Sequence, residues 1–163
     1  MKYIEKTLLD NEKVIHWTHP HWIIFVPAFF MLLLASIIYV YGSQLYFLNS
    51  TIFMVRVYEC FAILCLAVGL YSFTKAYIAY ESSEYGVTNK RVLMKIGLLD
   101  RSSLEIFLDK IEAVHVEQTF TGRILGYGSI VITGTGGSKD YFLNVPEPLD
   151  FRKMIQQEID NKR

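Results

Sequence analysis

Two long apolar stretches, Trp22 to Tyr41 and Val57 to Thr74, lie in the first half of the chain, and nothing like them recurs in the second. The first carries no charged residue. Its length of about 20 residues, at ~1.5 Å rise each, matches the ~30 Å hydrocarbon layer of a bilayer. Leu, Ile, Phe and Val fill 12 of its positions. At roughly −0.3 to −0.6 kcal/mol apiece they favour insertion by about 5 kcal/mol, enough to carry Pro27. The second stretch has Arg56 and Glu59 at its start and Lys75 at its close. A charge at the centre of a spanning helix costs about 2.5–3.5 kcal/mol, so these groups belong near the interfaces. Glu59 and Lys75 lie about 24 Å apart along a helix, within reach of both headgroup zones by snorkelling. The expectation is a two-helix transmembrane hairpin, helices about 22–41 and 57–74, within an anchor of residues 1–80.

Charge bias orients it. Gly42 to Arg56 holds one basic residue, whereas Lys2, Lys6 and Lys13 precede the first helix and Lys75, Lys90 and Arg91 follow the second. The expectation is a multi-pass protein with both termini in the cytoplasm. Trp17, Trp22, Tyr39 and Tyr41 suit the aromatic belts. A cleaved signal peptide expects a short basic leader, a shorter apolar core and small residues at the cut; mixed-charge residues precede Trp22 and bulky ones follow it.

Basic and acidic residues balance at 16 each. No global field therefore draws the chain to nucleic acid or an acidic lipid surface. The two cysteines, Cys60 and Cys65, sit five positions apart inside the second apolar stretch. They read as packing residues, and no disulfide framework or thiolate metal site is available.

From Glu81 the pattern becomes that of a small β domain over residues 81–163. Ser83–Thr88, Arg91–Ile96, Ser103–Leu108, Ala113–Gln118, Gly128–Thr133 and Tyr141–Val145 are short, rich in β-branched and aromatic residues, and mostly alternating. Turn signals separate them at Asn89-Lys90, Gly97, Asp109-Lys110, Thr121-Gly122 and Gly134 to Ser138. After Pro146 and Pro148, helical spacing appears at Leu149, Met154, Ile155 and Ile159, with Asp150 in the first turn. The class is α+β: an apolar helical hairpin, then a strongly bent antiparallel β sandwich or partial barrel plugged by one C-terminal helix.

The runs Glu84-Tyr85-Gly86-Val87-Thr88-Asn89-Lys90-Arg91-Val92, Lys95-Ile96-Gly97-Leu98-Leu99-Asp100-Arg101, Asp109-Lys110-Ile111-Glu112 and Gly122-Arg123-Ile124-Leu125-Gly126-Tyr127-Gly128 together resemble the bacterial pleckstrin-homology (PH) domains found on membrane proteins. The resemblance covers about half the chain. It extends to the preceding hairpin and to the His19-Pro20-His21-Trp22 approach, which is similar to that of family members. It implies a PH-like fold next to a membrane and leaves the activity open.

Within these motifs, Thr88-Asn89-Lys90-Arg91 reads first as a hairpin turn, since Asn tolerates left-handed backbone angles. In PH folds, basic residues near the first hairpin can bind phosphoinositide headgroups, so the resemblance makes Lys90, Arg91 and Lys95 candidates for lipid or partner binding. Glu81 and Glu84 oppose that idea, and solvated edge charges or surface contacts are the plainer reading. Arg123, in the glycine-bearing segment Thr121–Gly128, is a fourth candidate. The plainer reading there is a sheet corner with Ile124 and Leu125 tucked into the core. Gly134 to Lys139 lacks the spacing of a phosphate-binding loop and reads as a hairpin loop. His16, His19 and His21 are weak candidates for a metal and more simply interfacial residues.

No nucleophile elbow or triad context appears, His115 reads as an edge-strand residue, and no cofactor is expected. Two helices enclose no polar pathway, although an oligomer could. The expectation is a non-enzymatic interaction or scaffold module that mediates protein assembly at the cytoplasmic face. An exposed sheet edge would take a strand from a protein partner or a second copy. Ala62, Ala67, Gly69 and Ser72 would permit close helix packing. The alternatives are a sensor of anionic lipid headgroups and an accessory subunit of a larger complex or channel.

Overall fold

The computed structural model describes residues 4, 7–47, 52–97 and 102–162. The chain divides into two compact units, Trp22–Ile78 and a discontinuous one made of Met1–His21 with Ala79–Arg163. Lys2 and Lys6, and the Leu98–Arg101 part of the second motif, lie outside the described residues.

In the helical unit, a 3-10 turn at Trp22–Phe25 leads into α1 (Val26–Phe47), and α2 runs over Ile52–Ser82. Apolar composition sustains both, Pro27 falling in the first turn of α1 where a missing N–H is tolerated, and α2 at 31 residues extends about 46 Å. The helices pack antiparallel through a seam of small residues. Ala28, Ala35 and Gly42 recur every seventh position and are buried, facing Val55, Ala62, Cys65, Gly69 and Ala76 of α2. A Cβ on Gly69 would lie 2.8 Å from Leu32 Cδ2, and one on Gly42 would lie 2.9 Å from Tyr58 Cβ. Such contacts let the two backbones approach closely. Ala62 and Gly69 fall on the seam and Ser72 beside it, whereas Ala67 faces outward, because only the three-four spacing keeps to one side of a helix. Cys60 is exposed and Cys65 buried, both free. Phe29, Phe30, Leu33, Tyr41, Leu64 and Tyr71 point away from the seam. Only 11% of the first apolar span and 22% of the second is buried, the reverse of a core helix in a soluble protein.

The second unit holds two antiparallel sheets. The first has the order β1-β2-β3-β4 and the second β5-β6-β7. The strands are β1 Val14–Thr18, β2 Glu84–Thr88, β3 Arg91–Ile96, β4 Ser102–Phe107, β5 Ile111–Glu117, β6 Tyr127–Gly134 and β7 Lys139–Pro146. A short helix α3 (Phe120–Leu125) joins β5 to β6, and α4 (Pro148–Lys162) ends the fold. The architecture is the expected bent sandwich with a C-terminal helix.

Six strands follow from the sequence after Glu81, and the structure adds a seventh, β1, from the segment before the first apolar stretch. Val14 pairs with Thr88 and Thr18 with Tyr85. The anchor drawn as residues 1–80 is therefore too long at its start, because Met1–His21 belongs to the β unit. Val-Ile-His-Trp-Thr is short and β-branched, but such a strand shows itself only through the β2 backbone groups that it satisfies.

Alternation along the strands sends Tyr85, Val87, Val92, Ile106, Ile130, Ile132, Phe142 and Val145 into one core, joined by Leu108 and by Phe151 and Ile155 of α4. These apolar side chains are withdrawn from water almost completely, each full burial being worth about 1.5–3 kcal/mol. The Tyr85 hydroxyl reaches the Leu143 carbonyl at 2.9 Å, which satisfies its buried polar end. Its desolvation pushes the phenol up to about 12.

Candidate binding surface

The basic side chains of the β2–β3 turn are engaged with the chain's own N-terminal segment. Arg91, 5% exposed, donates from Nε to Glu12 Oε1 and from Nη2 to Glu12 Oε2, both at 3.0 Å. Its Nη1 donates to Glu105, and its Nη2 also donates to the Thr7 carbonyl at 2.7 Å. Thr88 Oγ1 donates to Glu12 Oε1 at 2.7 Å. Asn89 Oδ1 accepts from the Lys13 amide at 2.9 Å, and its Nδ2 donates to the Asn11 carbonyl. Lys90 Nζ donates to the Asp10 carbonyl at 2.6 Å. Each residue of the turn thus holds the segment that leads into β1. A fork-shaped guanidinium suits this role because it can serve two carboxylates and a carbonyl at once.

The reason lies in strand periodicity. Val92 and Met94 face the core, so Arg91, Leu93 and Lys95 face the other side of the sheet, with Gly86 on the neighbouring strand. That side is covered from the N-terminal end of the chain. Ile4 is buried over Gly86, where an added Cβ would meet Ile4 Cδ1 at 2.6 Å. Lys95 is half-buried and lies in register with Glu84 and Ser103. Lys90, Arg91 and Lys95 therefore do not form an open cationic cluster, and Arg91 leaves the candidate set because its charge is consumed internally. Burial by itself would raise the Glu12 carboxyl. Hydrogen bonds from Arg91, the Leu9 amide and Thr88, with the Arg91 charge, outweigh it and hold the group below its ordinary value.

The three candidate histidines face three different partners. His16 meets Phe151 edge-on with ring centroids 5.7 Å apart, and His19 stacks on Tyr80 at 5.2 Å while its Nδ1 lies 2.9 Å from the Ser83 carbonyl. His21 stacks on Tyr127 at 5.3 Å and 25°. Desolvation lowers the His21 pKa despite a hydrogen bond with the Leu125 backbone. Alternation in β1 and the break at Pro20 scatter the rings, and among the described residues no group of three or more His, Cys, Asp or Glu is placed to hold a metal ion.

Arg123 stands on α3, where a sheet corner was expected. Thr119 caps this helix, its side chain accepting from the Gly122 amide at 3.1 Å, and Gly126 ends it in the left-handed conformation at φ 76°. Gly122 is buried, since a Cβ there would lie 2.6 Å from the Tyr127 carbonyl oxygen. With the short turn fixed by caps and by this close approach, its large side chains are free to face out. Phe120 is 77% and Ile124 68% exposed, and Leu125 is exposed as well. The expectation that Ile124 and Leu125 enter the core is overturned. Arg123 is exposed between them. The sequence reading missed this helix; Thr119 and Gly126 are the signals that could have marked its ends, but nothing local marks the outward orientation of Phe120 and Ile124.

Two bent antiparallel sheets closed by a C-terminal helix, on a chain with two helices long and apolar enough to cross a membrane, define a PH-like domain protein. The family model for the bacterial PH domain matches residues 21–159, through both apolar helices and nearly all of the β unit, and the chain belongs to that family. Neither the curated proteins nor the solved structures give a match.

Proposed function

We propose that this chain is a membrane-anchored, non-enzymatic PH module that organises protein assembly at the cytoplasmic face of the inner membrane. The observation that carries the reading is the outward apolar surface of the α1–α2 hairpin, within a family match that continues into the β unit. A hairpin whose seam is small and whose outside is Phe, Leu, Ile and Tyr suits lipid as its solvent. The assembly role draws on β4, one of the two outer strands of its sheet, where Ser102, Ser103 and Phe107 are exposed. An open edge offers main-chain groups to an added strand from a partner or a second copy.

Topology is checked first, in a Cys60→Ala, Cys65→Ala background. An impermeant maleimide added to intact spheroplasts is expected to label Gln44→Cys, and to reach Asn161→Cys only after permeabilisation; the opposite pattern would overturn the orientation. A photo-crosslinking residue at Ser103 in native membranes is then expected to give a protein adduct of discrete mass. Lipid adducts alone would remove the assembly role.

A further inference from the structure

Helix α3 carries an apolar surface that folding does not use. Phe120 and Ile124 are four apart and share one face of the helix. At 77% and 68% they are the two most exposed large apolar side chains among the described residues of the β unit, and Leu125 beside them is 41% exposed. The turn is held without them, by the Thr119 cap, the Gly126 stop and the contact of Gly122 with Tyr127. Arg123 is exposed among them, and no hydrogen bond or ion pair of its side chain occurs among the described residues. Large apolar side chains flanking a single cation are the composition of a segment that lies in a membrane interface.

Its location narrows the occupant. Tyr127, two residues past the end of α3, stacks on the His21 ring at 5.3 Å, and His21 also bonds to the backbone of Leu125, the last residue of α3. The His21 amide donates to the Asn144 carbonyl at 2.6 Å, and the Glu147 amide donates to the Gly126 carbonyl at 2.8 Å, which fastens β7 to the same place. His21 is the residue immediately before Trp22, where the first apolar span begins. The C-terminal end of α3 is thus pinned to the last residue before the span. A six-residue helix is only about 9 Å long, so its exposed side chains cannot be far from that point.

We infer that α3 is a second, peripheral membrane contact: Phe120, Ile124 and Leu125 enter the interfacial layer of the bilayer that holds the chain's own spans, with Arg123 at the headgroups. This rests on the membrane reading above. It differs from headgroup recognition at the β2–β3 turn, since the contact is made by apolar side chains on another loop. A PH unit fastened in this way is tied to the membrane by α3 in addition to its chain connections.

The test uses the full chain in vesicles of phosphatidylcholine with phosphatidylglycerol, in the Cys60→Ala, Cys65→Ala background. An environment-sensitive fluorophore is placed in turn at Ile124→Cys, at Asn161→Cys as a solvent reference, and at Ile37→Cys as a reference within the first span. Lipids carrying a quencher near the glycerol backbone are expected to quench the Ile124 label, and aqueous iodide to quench it several-fold less than the Asn161 label. Replacement of Phe120 by Ser should reduce the lipid quenching at Ile124 several-fold. If the Ile37 label is quenched by chain-borne quenchers while the Ile124 label behaves like Asn161, this inference fails and the membrane reading stands. An Ile37 label that no lipid quencher reaches overturns both. An Ile124 label shielded from iodide and from lipid quenchers alike identifies a protein, a second copy included, as the occupant and overturns the lipid contact.

Discussion

Removing the Arg91 guanidinium should release the N-terminal segment from the β unit. In Arg91→Leu, Glu12 keeps a side chain with no measurable exposure but loses both charge-assisted bonds at 3.0 Å, while Glu105 and the Thr7 carbonyl lose their donor. Breaking one side of a buried ion pair costs about 3–5 kcal/mol, mostly because the remaining charge stays desolvated. At 1.4 kcal/mol per factor of ten, amide exchange in the segment should accelerate by more than about a hundredfold. Hydrogen exchange on the full chain in micelles reads this at the amides of Leu9, Glu12 and Lys13, which bond to Glu12 Oε2, the Leu9 carbonyl and Asn89 Oδ1. Arg91→Lys keeps the charge but not the fork and should fall between. Adding Glu12→Gln to Arg91→Leu should restore part of the protection, since the stranded charge is then gone. The Glu12 pKa is depressed in the folded protein, so its contribution is present above the ordinary value of 4.5 and is lost as pH falls through the folded value. Wild-type protection at these amides should decline in that acid window, whereas that of Arg91→Leu should rise on acidification, because protonation removes the stranded charge as Glu12→Gln does. Acceleration below tenfold in Arg91→Leu, or no rescue by Glu12→Gln, would refute the claim that a buried charge network ties this segment down.

Tyr85 gives the opposite pH dependence: its phenol is raised to about 12, so stability is intact below about 10 and is lost as pH rises through the folded value. Alkaline titration of phenolate absorbance alongside melting should show this, and Tyr85→Phe should abolish that part of the loss while costing about 1 kcal/mol at neutral pH. In Gly122→Ala, a Cβ 2.6 Å from the Tyr127 carbonyl oxygen should cost about 1–3 kcal/mol, visible as a lower melting temperature and faster exchange at Arg123. Gly69→Leu should force α1 from α2 at Leu32, and disulfide formation between cysteines introduced at Ala35 and Leu66, which line one hollow of about 350 Å³ in the hairpin, should fall several-fold.

The sequence determined what is local. Apolar length marked both helices, alternation and turn residues marked six strands, and the spacing after Pro148 marked the C-terminal helix. Each of these follows from side-chain chemistry repeated along a single element, which needs no partner to be read. Of the small residues expected to permit close packing, Ala62 and Gly69 lie on the seam, while its α1 side, Ala28, Ala35 and Gly42, emerged only from the packed pair. The tertiary structure decided what depends on pairing. Val14–Thr18 became a strand because β2 had an edge to satisfy, and that transferred Met1–His21 from the anchor to the β unit. Arg91 looked like a surface cation until Glu12, 79 positions away in the chain, was brought against it. Ile124 and Leu125 looked like core residues until the caps of α3 turned them outward. In each case the outcome turned on a contact between residues far apart in the chain, or on the side of a turn that the neighbouring backbone left open, and a one-dimensional pattern carries neither.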